Sequence, residues 1–244
     1  MLLGLVGSEM CIRDSIGGLA GDALTDVDYN VAVGYGALSA DTLGSTSTAV
    51  GRAALNVQNF TSATNSGNSA VGYHAGLSVT TGKQNTLMGG VAGDALTDAD
   101  FNVAIGYGAL STDTLGSKST AVGYLALNAQ NFTSATDSFN VAVGTNAGLS
   151  VTTGRFNSFL GALSGDSVTT GDQNTAIGYQ ALSANQTSNN NVAVGYQALR
   201  LNTAANNVAV GVQAMDANTS GTQNTAVGRE ALNANTEADD NTAM

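Results

Sequence analysis

Few residues in this 244-residue chain can do chemistry, and their spacing argues against a catalytic site. His74 is the only histidine and Cys11 the only cysteine. A Ser-His-Asp arrangement needs a base held between two partners, and one histidine at a variable position of a repeated phrase meets no such pattern. Zinc lacks ligands for the same reason. Residues 76–83 start on Gly and end on Lys like a phosphate loop, but the spacing is one residue too long and Gln84 replaces the Ser/Thr. Asp22, Asp26 and Asp28, echoed by Asp94, Asp98 and Asp100, could in principle face calcium. The glycine-aspartate nonapeptide of calcium-binding rolls is absent, so these carboxylates are expected in solvated turns. No carboxylates cluster in a cleft-forming insertion, as polysaccharide cleavage would need. The sequence predicts a non-enzyme, with no catalytic, metal or cofactor residues.

Composition narrows the partners. The net charge is −11, and no basic patch exists to neutralise phosphates, so nucleic acid is not an expected partner. The same charge disfavours an anionic membrane surface. No apolar run reaches the length of a membrane span, which leaves a separate anchor as the expected route to any membrane.

What dominates the chain is a beat. A glycine inside the phrase Asn-x-Ala-Val-Gly-Tyr-x-Ala-Leu falls at Gly17, Gly34, Gly51, Gly72, Gly89, Gly106, Gly123, Gly144, Gly161, Gly178, Gly195, Gly211 and Gly228. Ten of the twelve intervals are 16 or 17 residues and two are 21. A fixed short period means one unit stacked on copies of itself. A larger period of 72 residues lies over it, so that residues 58–64 return as residues 130–136. Residues 1–15 stand outside the repeat, and residues 7–15 resemble a translated sequencing-library adapter. They are expected to be a non-native leader to a β-solenoid over residues 16–244, itself expected to stop short of its natural C-terminus.

Within a rung, Val and Ala before the glycine favour a short strand, and a 17-residue period fits a helix poorly. Turn-forming Ser, Thr, Asn, Asp and Gly close the rung. The prediction is an all-β, parallel β-solenoid of about thirteen 17-residue rungs, stacked at about 4.8 Å. Like residues then form columns. Asn30, Asn68, Asn85, Asn102, Asn140, Asn157, Asn174, Asn191, Asn207 and Asn224 make one, expected to bond amide to amide along the axis. The glycines, the alanines Ala37 to Ala231 and a broken tyrosine column (Tyr35, Tyr73, Tyr107, Tyr124, Tyr179, Tyr196) make others. In residues 191–196, Val192, Val194 and Tyr196 alternate with Ala193 and Gly195, so neither strand face is polar. A thin solenoid covers one face itself, which leaves the other as a candidate subunit interface.

The phrases Asn-Thr-Ala-Ile-Gly-Tyr-Gln-Ala-Leu (174–182) and Asn-Val-Ala-Val-Gly-Tyr-Gln-Ala-Leu (191–199) resemble the head repeats of trimeric autotransporter adhesins of the YadA type, and related repeats of bacteriophage tail fibres. The resemblance runs over nearly all of residues 16–244, with a longer rung than that family's head repeat. It implies a left-handed β-roll, a homotrimer, and a place in the head or shaft of a fibre on a cell surface, anchored in the outer membrane, or on a virion tail. It also implies multivalent attachment to a protein or glycan of a host surface.

The two 21-residue rungs are the expected place for specific contact, through Phe60, Thr61, Phe132 and Thr133 in Ser/Thr/Asn-rich loops. The alternative is that each Phe folds back onto the solenoid. An ice-binding surface is a further reading; its candidate column (Val31, Thr48, Ser69, Thr86, Val103, Thr120) mixes Val and Ser with Thr.

Overall fold

The computed structural model describes residues 13–25, 27 and 29–244. Most of the predicted leader, Cys11, Asp26 and Asp28 lie outside the described residues. The described chain is a β-solenoid of about 13 coils, with no helix. Fourteen short strands, from Arg13–Ile16 to Thr242–Ala243, form one parallel sheet in chain order along the axis. Arg13–Ile16 pairs with Asn30–Val33, so backbone pairing begins three residues before the predicted start of the solenoid at residue 16.

Register follows the sequence columns. Thr120, Ala121 and Val122 face Val103, Ala104 and Ile105 on one side and Val141, Ala142 and Val143 on the other. The strands run about three residues because the glycine column ends each of them. Gly106 takes φ +132°, a conformation L side chains rarely adopt, and a Cβ there would sit 2.3 Å from the Gly123 carbonyl oxygen. Both backbone conformation and rung-to-rung approach therefore require glycine. The corner continues through left-handed residues at Gly108 and Leu110, with a third at Phe101 before the strand. Most coils place a non-glycine residue at one or more of these left-handed positions, held there by cross-coil hydrogen bonds such as Leu110 N–H to the Ala126 carbonyl at 3.0 Å.

The two apolar strand faces divide by size. Ala104, Ala121, Ala142 and their equivalents point inward and are fully buried, together with Ala109 and Leu110 of the corner. The larger Val, Ile and Leu residues alternate outward. Between the inward strand position and the first corner there is room for only one large residue per layer. Where Leu87 and Phe159 replace the inward alanine, the corner leucine gives way to glycine on both sides. A Cβ on Gly76 or Gly93 would meet Leu87 at 2.7 Å, and one on Gly148 or Gly165 would meet the Phe159 ring at 2.9 Å and 2.5 Å. Side-chain volume per coil is conserved by exchange between two positions eleven residues apart or fewer, as close packing demands.

The asparagine column is buried and bonds differently from the expected amide-to-amide ladder. Asn157 Oδ1 accepts from the Asn174 backbone N–H at 2.9 Å, and Asn157 Nδ2 donates to the Gly171 carbonyl at 2.8 Å. The same pair of contacts recurs at Asn30, Asn68, Asn102, Asn140, Asn207 and Asn224. It also recurs at Asn174, while at Asn191 the Oδ1 accepts from the Asn207 N–H. Direct amide–amide bonds are occasional, as from Asn191 Nδ2 to Asn174 Oδ1 at 3.3 Å. The correction has a physical basis. Outside the two 21-residue coils, a buried asparagine satisfies a backbone N–H and a carbonyl of the next coil, whereas an amide ladder would leave both orphaned.

Candidate interaction surface

The two 21-residue coils interrupt the asparagine column with Ser47 and Ser119, and each inserts a buried polar cluster in its place. Gln58 Nε2 donates to Asp41 Oδ2 at 2.6 Å and to Ser47 Oγ at 2.9 Å, while Gln58 Oε1 accepts from Asn68 Nδ2 at 2.8 Å. Asp41 Oδ1 also accepts the Gly44 and Phe60 backbone N–H groups. Gln130, Asp113, Ser119, Asn140, Gly116 and Phe132 repeat the arrangement. The extra residues form a second ladder, Gly44–Ser45 with Thr64–Asn65 and Gly116–Ser117 with Thr136–Asp137.

Of the two arrangements open to the long loops, the rings take the buried one. Phe60 is 5% exposed and Phe132 6%. Each ring lies over the glycine of its own cluster, where a Cβ on Gly44 would sit 2.8 Å from Phe60. The rings are therefore not contact surface, and what the loops present is polar, with Thr61 and Thr133 exposed. The predicted asparagine and glycine columns, including Asn30, Gly34, Gly72, Gly144, Gly178, Gly195 and Gly228, run along the backbone scaffold rather than at a binding site.

The remaining candidates for chemistry sit apart from one another. His74 stacks on Tyr73 at 3.8 Å, and its Nε2 lies 2.9 Å from Arg52 Nη1, which also donates to the Tyr73 hydroxyl. Burial raises the Asp94 carboxyl above the usual range, against a smaller lowering by its backbone hydrogen bond and by His74. Burial also raises the Asp166 carboxyl, against a smaller lowering by backbone hydrogen bonds of Asp166 and Ser167. One oxygen of each is buried without a hydrogen-bond partner. Asp98 accepts from Thr81 Oγ1, and Asp100 accepts the Lys83 backbone N–H at 2.7 Å, so both carboxylates are engaged with residues 81–83 of the preceding coil. Among the described residues no three His, Cys, Asp or Glu side chains are grouped to hold a metal ion.

The outer sheet face exposes a run of large apolar side chains. Val71, Met88, Ile105, Leu160, Ile177, Val210 and Val227 project from one register column of the sheet, with Leu160 51% exposed. Beside them run the tyrosines, stacked as Tyr107 on Tyr124 at 6.0 Å and Tyr179 on Tyr196 at 5.7 Å. On the other flank Phe139 and Phe156 stack at 5.5 Å, with Lys118 Nζ 5.2 Å above the Phe139 ring and paired with Asp137 at 2.6 Å. This last cluster was not anticipated. Its signal was present in the duplication, because Lys118, Asp137, Phe139 and Phe156 stand where the first 72-residue unit has Thr46, Asn65, Gly67 and Gln84. An exposed apolar face of this kind is the candidate interaction surface.

The fold defines the chain as a β-solenoid repeat protein. No family model matches the sequence, and no curated protein matches it.

Proposed function

We propose that the chain is a segment of the head or shaft of an extracellular fibre, built from three copies that pack through the outer faces of their sheets, and that it attaches multivalently to a host or cell surface. One observation carries the reading: the aliphatic column of a fourteen-stranded sheet lies on the outside of a rod whose own interior holds the alanines. Leaving those side chains in water costs about 25 cal/mol per Å² of apolar surface, which association would recover. Small contacts repeated along thirteen coils and three chains would multiply into avidity. The same shaft serves a fibre fixed to a cell surface or one carried by a virion, as the resemblance to adhesin and tail-fibre repeats implies.

Sedimentation or light scattering of the purified chain tests the assembly. The expected particle has three times the 24.2 kDa of one chain. Ile105→Lys with Leu160→Lys should reduce it to a single chain while the β signal in circular dichroism stays. A wild-type chain that remains a folded monomer at micromolar concentration would overturn the reading. Ice binding rests on the same face, where Thr48, Thr86, Thr120, Thr175 and Thr225 fall in one register column. Val and Ser break that column, which favours the fibre, and a thermal-hysteresis measurement separates the two.

A further inference from the structure

Four Asn-x-Ser/Thr tripeptides occur in the chain: Asn59-Phe60-Thr61, Asn131-Phe132-Thr133, Asn185-Gln186-Thr187 and Asn218-Thr219-Ser220. This is the acceptor pattern for N-linked sugar. The fold sorts them into two kinds. Asn185 is fully buried, with Nδ2 donated to the Ser188 carbonyl and Oδ1 accepting the Ser188 N–H. Asn218 is also fully buried, with Nδ2 donated to Asn202 Oδ1 at 2.6 Å and to the Gly221 carbonyl. A sugar on either would break these buried bonds.

Asn59 and Asn131 are placed differently. Asn59 is exposed and Asn131 half-buried. In each, Oδ1 is held by a threonine of the preceding coil, Thr42 Oγ1 at 3.0 Å and Thr114 Oγ1 at 3.1 Å. No acceptor among the described residues takes either Nδ2, and the hydroxyls of Thr61 and Thr133 are likewise not engaged there. The buried ring between them supplies the geometry. Phe60 is buried between an exposed Asn59 and an exposed Thr61, and Phe132 between a half-buried Asn131 and an exposed Thr133, so each acceptor amide and the hydroxyl two residues on both reach the surface. The sites also lie about halfway round the coil from the sheet, eight residues past Gly51 or Gly123 and nine before Asn68 or Asn140.

We infer that Asn59 and Asn131 are paired N-glycosylation sites, each taking a sugar from a glycosyl diphosphate donor. The step forms a bond from Nδ2 to the anomeric carbon, breaks that carbon's bond to the diphosphate oxygen, releases the diphosphate and sheds one Nδ2 proton. The two sugars would stand four coils apart, about 19 Å along the rod. They would coat the polar side and leave the apolar sheet face bare.

The test uses the full folded chain, with purified N-glycosyltransferases of two types, one fed a nucleotide-linked hexose and one a lipid-linked oligosaccharide, followed by peptide mapping by mass spectrometry. The two arms identify the donor. Sugar is expected at Asn59 and Asn131, with occupancy at Asn185 and Asn218 at least about tenfold lower because exposing them needs local opening. Chain unfolded before the reaction should lose that distinction. Thr61→Ala and Thr133→Ala should each abolish one site and spare the other. Equal occupancy of all four sites in the folded chain, or no sugar at Asn59 and Asn131 from either donor, would overturn the inference. Neither result depends on the oligomeric state.

Discussion

Replacing Asn157 tests how the coils are held together. Its side chain accepts from the Asn174 N–H at 2.9 Å and donates to the Gly171 carbonyl at 2.8 Å, in full burial. Asn157→Ala leaves both backbone groups without partners. An orphaned buried polar group costs about 1–3 kcal/mol, so the loss should be about 2–6 kcal/mol. Asn157→Asp keeps the first bond and sets a second oxygen against the Gly171 carbonyl. Its carboxyl should be pushed up by burial and by that carbonyl. A raised folded-state value means stability that is present below the unfolded value and lost as pH rises through the folded one. The gap between Asn157→Asp and wild type should therefore be wide at neutral pH and narrow once pH drops below the ordinary Asp range of about 3.9. The gap for Asn157→Ala should not narrow. Urea unfolding across pH reads the global effect, and hydrogen exchange at the Asn174 amide reads the local one. Asn157→Ala within about 0.5 kcal/mol of wild type, the range of an unimportant surface change, would refute the reasoning.

Three other perturbations bear on the scaffold. Gly106→Ala should cost more than the ~1–3 kcal/mol of a strained backbone conformation, because its Cβ also meets the Gly123 carbonyl at 2.3 Å. Gly228 has a similar φ of +127° but a Cβ there would meet no contact nearer than 4.0 Å, so Gly228→Ala should show only the conformational cost in thermal denaturation. Phe132→Ala should cost about 3–5 kcal/mol, as for other buried rings, and raise proteolytic cleavage in residues 131–137. Asp94→Asn should raise the melting temperature at pH 7, since burial disfavours the charged form, with the benefit fading as pH falls below the ordinary Asp range.

The period, the strands and their register were legible because each coil repeats the same short phrase, and repetition reads out a fold that a single copy would leave ambiguous. Which apolar face turns inward was not, since Ala193 and Val192 are both apolar and only coil width decides between them. The left-handed corner at Leu110 has no signature either, because leucine does not favour that conformation and is held in it by its neighbours. The asparagine column was visible while its bonding was not, as the groups it satisfies belong to a backbone path that the sequence does not spell out. Phe60 looked like a contact residue from its polar surroundings, and the glycine and aspartate beneath it lie sixteen and nineteen residues earlier. The Phe139–Phe156 patch emerges only when the two 72-residue units are laid side by side.

The direction of the hydrogen bonds has a mechanical consequence. Nearly every bond between coils runs along the rod, some from an N–H to the next turn, as Leu110 N–H to the Ala126 carbonyl, and others to the preceding one, as Gly106 N–H to the Met88 carbonyl. Tension applied at the two ends therefore loads them one coil at a time, as in opening a zipper. Each released coil of 17 residues extends to about 56–61 Å of chain. The same coil occupied only about 5 Å of rod. Pulled from its ends, a single chain should lengthen by roughly tenfold in even steps at modest force. A bundle joined through the sheet faces would have to peel all its chains at once, so the proposed side-by-side packing would turn a compliant thread into a stiff strut.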